Sequence, residues 1–188
     1  MDFTTHTIGD NARFRAVLTG VAMIFFVAAS PAQASNDKES ACVDQAKTYI
    51  TDLLPHVEAL VGVKLDVKSP ISIEVGAHTL QLLASWREDR PGHGSIVIYP
   101  DFCTDFPHFQ RATIAHELGH AIDNLVFTGT ADVPGKPWKT RRAEIAATAW
   151  ALSVYRHAGL NVLDLEAQFS GFSANYWAAV QSYPTVRP

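Results

Sequence analysis

The stretch that decides the fold is 110–127, QRATIAHELGHAIDNLVF. Apolar residues recur in it at the three- and four-residue spacing of an amphipathic helix, and a proline stands near its start. The pattern predicts a helix over 107–127. On that helix His116 and His120 are four residues apart, and Glu117 directly follows the first histidine.

This arrangement suits a metal site, because residues four apart lie on one face of a helix, one turn from each other. His116 and His120 can therefore bind a single ion, and zinc prefers imidazole and carboxylate ligands. Glu117 lies about 100° round the helix, beside the metal, where it can take a proton from an attacking water. Composition alone predicts about 0.01 matches to HExxH, so we interpret the motif as a zinc site rather than as buried structural histidines.

A catalytic zinc site usually has a third protein ligand, and we choose Glu144. It follows His120 by 24 residues, on a helix predicted over 140–157, and alanines beside it would let the two helices pack closely. One alternative is that Glu144 forms a surface ion pair with Arg141 or a nearby lysine. The other is that the third ligand comes from elsewhere in the chain, at Asp132, His157 or Glu166.

Other residues are candidates for supporting roles. Asp123 shares the face of the two histidines, so it could orient a ligand histidine or anchor the Glu144 helix. The alternative is an ordinary surface or capping charge. Hydrolysis of a peptide bond also needs a donor to the developing oxyanion. The candidates for that donor are Tyr155, His157, Arg141 and Arg142.

The rest of the chain is predicted from the same periodicities. We expect further helices over 41–61 and 164–183, strands over 71–75 and 95–99, a helical turn or a strand over 77–84, a turn over 89–94 and a loop over 101–107. Trp86 stands beside charged residues and is predicted at an exposed cleft rim, whereas Trp138, Trp150 and Trp177 are expected in the core. The result is a single α+β domain with a small sheet early and helices late.

The composition of the chain limits the classes of protein to which it can belong. The chain has 188 residues, 47% hydrophobic and 18% charged, with a net charge of -4. A packed core is therefore expected, and the absence of a basic patch argues against nucleic acid as a partner.

The first residues have the three parts of a secretory signal. Arg13 and Arg15 precede an uncharged apolar run, and Ala32-Gln33-Ala34 follows it. We predict a signal peptide over 1–34 and a single mature domain over 35–188, secreted or periplasmic and without a stable membrane anchor. The alternative is an uncleaved anchor, for which the apolar run is short.

The two cysteines, Cys42 and Cys103, are predicted to form a disulfide that ties the first helix to the segment before HELGH. An even pair of cysteines in an exported protein favours a bond over two free thiols. Their spacing does not fit a cysteine zinc site.

HELGH followed by a helix with a glutamate among alanines resembles the zincin metallopeptidases, and within them the gluzincins, which use two histidines and one glutamate. HELGHAID is also similar to the HExGHxxD form of the anthrax lethal factor-like peptidases, and the second helix to that of the ImmA/IrrE group. The resemblance covers about 95–155. The metzincin extension is absent, because Asp123 and Val126 stand in its places.

The resemblance implies a zincin-like domain with a short twisted sheet, an HExxH active-site helix and a helical C-terminal half. It also implies one Zn²⁺ per chain and an edge strand that binds extended substrate. The candidate for that strand is 95–99, and the alternative is that 95–99 is an ordinary core strand. We therefore expect a secreted zinc metallopeptidase, acting as a monomer on a peptide or protein. The alternatives are a zincin-fold regulatory or binding domain that holds zinc without proteolysis, and a helical interaction domain without metal.

Overall fold

The computed structural model describes residues 31–67, 72–73, 83–90, 92–126 and 141–185. Predictions that fall elsewhere lie outside the described residues. These are most of the signal peptide, the greater part of the strand over 71–75, the segment 77–82, Asp132 and Trp138.

Within the described residues the chain is a mixture of helices and a small sheet, which confirms the α+β prediction. The elements are α1 (Pro31–Val61), β1 (Asp66–Val67), β2 (Ser72–Ile73), β3 (Ala84–Arg90), β4 (His93–Ile98), a 3-10 helix (Pro100–Thr104), α2 (Pro107–Val126), α3 (Arg141–His157), α4 (Val162–Gln168) and α5 (Ala174–Ser182).

The sheet is built around β4. β1 and β2 pair with it in parallel, at its start and its end, and β3 pairs antiparallel along its whole length. Both sides of β4 are therefore occupied, so the prediction that 95–99 is an edge strand is wrong. Among the described strands β3 forms an edge, and its far side faces α2.

The strand β3 replaces the predicted turn at 89–94 and the predicted exposed position of Trp86. Arg87, Glu88 and Asp89 are polar, yet they continue the strand, which ends at Arg90, and β4 begins at His93. Gly92, just before β4, has a φ of +72°, a left-handed conformation that favours glycine. Trp86 is 2% exposed, so its placement at a cleft rim is a wrong prediction. Alternation puts the ring of Trp86 on the inner face of the sheet, while Arg87 and Asp89 are exposed on the other face.

Helix α2 is the centre of the domain. It contacts α1, α3, α4, β3 and β4. Every residue of 112–122 is buried, so the helix is enclosed on all sides and not only along the predicted apolar stripe. The two histidines and the glutamate of the motif are thus removed from bulk water, and they need partners or a ligand.

The terminal helices differ from their predictions. Helix α1 begins ten residues before the predicted start and continues through Pro55. The single helix predicted over 164–183 is two helices, because Ser173 caps a new helix by accepting a hydrogen bond from the Tyr176 backbone N–H. Trp150 is buried and Trp177 packs against the core, as predicted.

The predicted disulfide is present. Cys42 of α1 and Cys103 of the 3-10 helix are bonded, with their Cα atoms 5.5 Å apart. The bond ties α1 to the segment that leads into α2. Among the described residues, no helix is long and apolar enough to cross a membrane.

Candidate metal centre

The predicted ligands meet in one place. His116 and His120 of α2 and Glu144 of α3 each present a ligand atom, and these atoms lie within 4.8 Å of one another. The His116 Nε2 atom is 3.1 Å from Glu144 Oε2, and the His120 Nε2 atom is 3.8 Å from Glu144 Oε1. Glu144, which we predict as the third ligand, lies with the two histidines, and the group could hold a metal ion.

Close packing of the two helices brings Glu144 to the histidines. A Cβ atom added to Gly119 would lie 2.1 Å from the backbone oxygen of Ala147, so only glycine permits this approach. Ala146 and Ala147 are fully buried in the same contact. The small side chains predicted to allow close approach therefore do so, and one turn of α3 away they leave Glu144 facing α2.

His116 is held on several sides. Its Nδ1 atom lies 3.0 Å from the Thr148 hydroxyl oxygen, and the Phe169 ring packs against it with centroids 4.8 Å apart. The His120 ring meets the His116 ring edge-on, at 4.8 Å and 85°. The orientation of the first histidine is thus set by three elements of the fold, α2, α3 and the segment after α4.

Burial keeps the second histidine neutral. Desolvation lowers the pKa of His120 to about 3, with the nearby His116 acting in the same direction and Glu144 opposing it. A neutral imidazole is the form that binds metal. This side chain is therefore ready to bind an ion across the whole physiological pH range.

Glu117 lies about 100° round α2 from His116, where it faces β3. Its Oε2 atom accepts a hydrogen bond from the Trp86 backbone N–H of β3 at 2.7 Å. Burial raises the pKa of this carboxyl to about 7, whereas His116 and the bond from Trp86 act to lower it. A carboxyl with a pKa near neutrality is suited to take up and release a proton at the working pH.

The direction of the Trp86 N–H follows from the register of the sheet. The Tyr99 N–H donates to the Leu83 carbonyl, which makes these two residues a hydrogen-bonded pair. In an antiparallel ladder the next such pairs are two residues on, so Trp86 turns its N–H away from β4. The edge of β3 that pairs with none of the described strands therefore faces Glu117.

The Asp123 side chain contacts Tyr183, in the segment that follows α5. Its carboxylate accepts a hydrogen bond from the Tyr183 hydroxyl at 2.8 Å, and the charge of Arg142 on α3 acts on it. Burial raises the pKa of Asp123 above its usual value. Of the two roles predicted for it, these contacts fit the anchoring of α3, together with the segment that follows α5.

The predicted oxyanion donors Tyr155 and His157 are not brought to the group. Both lie on α3, 11 and 13 residues after Glu144, which is about 16–20 Å along the helix. Tyr155 is buried in the core, and its hydroxyl has no hydrogen-bond partner within the described part of the chain. His157 packs against His56 of α1, with their Nδ1 atoms 3.0 Å apart. Arg141 and Arg142 are exposed in the first turn of α3.

The donor set fits zinc. Two imidazole nitrogens and a carboxylate oxygen are the ligands of many catalytic zinc sites, and tetrahedral zinc separates such atoms by roughly 3.5 Å. Small side-chain rotations would bring the three atoms to that spacing. The close approach of Glu144 to His116 Nε2 is favourable only with a proton or a cation between them, which a bound metal supplies.

Comparisons with protein-family models, curated proteins and solved structures find no match to this chain. The resemblance to the zincins is carried by the motif and by the helix that follows it.

Two functional contacts were not predicted from the sequence. Thr148 lies four residues after Glu144, so the helical spacing that links the two histidines could also have indicated it. The Trp86 backbone N–H carries no side-chain signal, because any residue except proline supplies that donor.

Proposed function

We propose that the protein is an exported zinc-dependent hydrolase of peptide bonds. The observation that carries the proposal is the convergence of His116, His120 and Glu144, with Glu117 buried next to His116 in the motif and interacting electrostatically with His116 and Glu144. A site that only held a metal for stability would need no carboxylate at that position. The Cys42–Cys103 disulfide supports export, because such bonds persist in oxidising compartments.

Each residue has a separate role in this proposal. His116, His120 and Glu144 would hold the metal. Zinc bound there supplies a Lewis acid that polarises the scissile carbonyl and makes water more acidic. Glu117 accepts a proton from the attacking water and later returns it to the leaving amine.

The edge of β3 is the proposed binding strand for an extended substrate. Its outer side borders α2 next to Glu117, and a peptide could add to it as a further antiparallel strand. Ala84 and Glu88 have the same orientation as Trp86 in the ladder, so their backbone groups lie on that edge. This proposal moves the substrate strand from 95–99 to β3.

The test is cleavage of a mixed peptide library by the purified zinc-loaded chain, beside its Glu117→Gln variant. The variant keeps an oxygen for the Trp86 N–H but cannot take a proton. We expect both proteins to bind zinc equally, and we expect the variant to cut about 10²–10⁴ times more slowly. The flanking residues of the cuts would give the specificity.

Other results would replace the proposal. Zinc binding by both proteins with no cleavage by either would indicate a domain that binds zinc for another purpose. Equal cleavage by both would mean that the hydrolysis does not use Glu117 and comes from a different site or a contaminant.

A further inference from the structure

We propose that Thr148 and Tyr176 are positioning residues that hold the ring proton of His116 on Nδ1 and so aim Nε2 at the metal. The inference deepens the proposed function, and only its metal-binding part rests on that function. It assigns a role to two buried hydroxyls on α3 and α5 that hydrolysis itself does not use.

Counting donors along one chain of hydrogen bonds gives the proton positions. The Tyr176 hydroxyl lies 2.9 Å from the Glu144 backbone carbonyl, which can only accept, so tyrosine donates there. Its single proton is then used, and Thr148, 2.6 Å away, must donate to it. Thr148 has no proton left for His116 at 3.0 Å, so the His116 Nδ1 atom carries the proton and donates.

The position of Tyr176 is what leaves Thr148 free to accept from the histidine. A threonine inside a helix often donates to the carbonyl four residues earlier, which here belongs to Glu144. Tyr176 occupies that carbonyl and accepts the Thr148 proton itself. The chain of hydrogen bonds therefore runs from His116 through the Thr148 and Tyr176 hydroxyls to the Glu144 backbone carbonyl. It links both hydroxyls to two residues of the proposed metal site.

The consequence for the metal is a fixed ring. With a proton held on Nδ1, the His116 ring can offer the lone pair of Nε2, the atom that faces Glu144, to a metal ion. Phe169 packs against the same ring and restrains its rotation. Outer partners of a ligand histidine fix its tautomer and orientation in this way, and losing one typically lowers metal affinity 10- to 100-fold.

The first experiment needs neither metal nor substrate. Nitrogen-15 NMR of the histidine rings in the metal-free full chain at pH 8, with His116→Asn to assign the signal, should show a proton on the His116 Nδ1 atom, whether or not Nε2 shares a second proton with Glu144. Thr148→Val should remove the Nδ1 proton, and Thr148→Ser should keep it. A wild-type ring whose Nδ1 atom carries no proton, or no change in Thr148→Val, would overturn the inference.

The second experiment measures zinc affinity by competition with a chelator. Thr148→Val should weaken binding 10- to 100-fold, and Thr148→Ser should restore it. Tyr176→Phe should weaken it less, because Thr148 can then donate to the Glu144 carbonyl and still accept from His116.

Thr113→Val is the matched control. Thr113 is a buried threonine on α2 whose hydroxyl accepts from Gln168, 3.1 Å away, and not from a ligand. It should lose a similar amount of stability in the metal-free chain but keep its zinc affinity. Equal affinity losses for Thr113→Val and Thr148→Val would mean that Thr148 is merely structural.

The two proposals fail in different ways. Absence of peptide cleavage would remove the proposed function while the NMR result stands. Cleavage and zinc binding that are unchanged in Thr148→Val would leave the proposed function intact and remove the positioning role.

Discussion

The two sides of α2 hold their functional groups by different means. On the α3 side, His116 is held by side chains: Glu144 and Thr148 reach it across a contact that only small residues permit. On the β3 side, Glu117 is held by the backbone, because the Trp86 N–H donates a hydrogen bond to it. A side-chain bond from Asn124 to Glu88, at 2.8 Å, joins the same strand to α2.

The difference concerns how each group depends on sequence. The proposed metal site needs particular side chains on two helices that are at the correct distance from each other. Glu117, the proposed base, needs only a strand edge that turns a backbone N–H toward it, because this donor belongs to the main chain. Substitutions on the α3 side should therefore affect the metal, and substitutions on the β3 side should affect the base.

The largest expected effect is loss of the third ligand. Glu144→Ala should weaken zinc binding several hundredfold, because one ligand of four contributes about 3–4 kcal/mol of the binding free energy. Glu166→Ala on α4 is the control, and it should bind zinc as the wild type does. Chelator competition measures both, and the reverse ranking would make Glu166 the ligand.

The next effect tests the burial of Glu117 without metal. Its folded-state pKa is raised from 4.5 to about 7, so this group's contribution to stability is full below about pH 4.5 and is lost as the pH rises through 7. Relative to Glu117→Gln, the wild type should lose about 3 kcal/mol of unfolding free energy between pH 4.5 and pH 8. Urea unfolding with a chelator present measures it, and a difference that does not change with pH would contradict the burial.

The sequence could predict the α3 side far better than the β3 side. The spacing of His116, His120 and Glu144 reports helix faces directly, and the alanines near Glu144 indicate close packing. The pairing of Cys42 with Cys103 was also predictable, because the chain contains no other cysteine. These features depend only on residue types and their spacing, which can be read directly from the sequence.

The β3 side could not be predicted because its signals are tertiary. Arg87, Glu88 and Asp89 look like a turn, and they are part of a strand only because Arg87, Glu88 and Arg90 pair with β4, with a shift of register at Asp89. The same pairing buries Trp86 and turns its N–H outward. The split between α4 and α5 was missed for a local reason, since the capping potential of Ser173 was outweighed by the apolar periodicity on either side.

A smaller effect is expected when the two helices are forced apart. Gly119→Ala would place a methyl group against the Ala147 carbonyl, and relief of the overlap should cost about 2–3 kcal/mol of stability. Zinc affinity should fall as Glu144 moves away. Gly171→Ala is the matched control, because nothing lies within 4 Å of its added Cβ atom. An equal change in the thermal unfolding of Gly119→Ala and Gly171→Ala would show that the contact between α2 and α3 does not require glycine at 119.

The smallest effect isolates the backbone donor on the β3 side. Trp86→Ala and Trp86→Pro both remove the ring, but only proline removes the N–H that reaches Glu117. The N–H faces away from β4, so proline deletes no ladder bond. A hydrogen bond to a charged group contributes about 1.5 kcal/mol, so hydrolysis by the proline variant should be roughly 10-fold slower than by the alanine variant. Both should bind zinc equally, because the α3 side is untouched. Equal rates would mean that Glu117 is positioned by its own helix and that the strand edge serves the substrate alone.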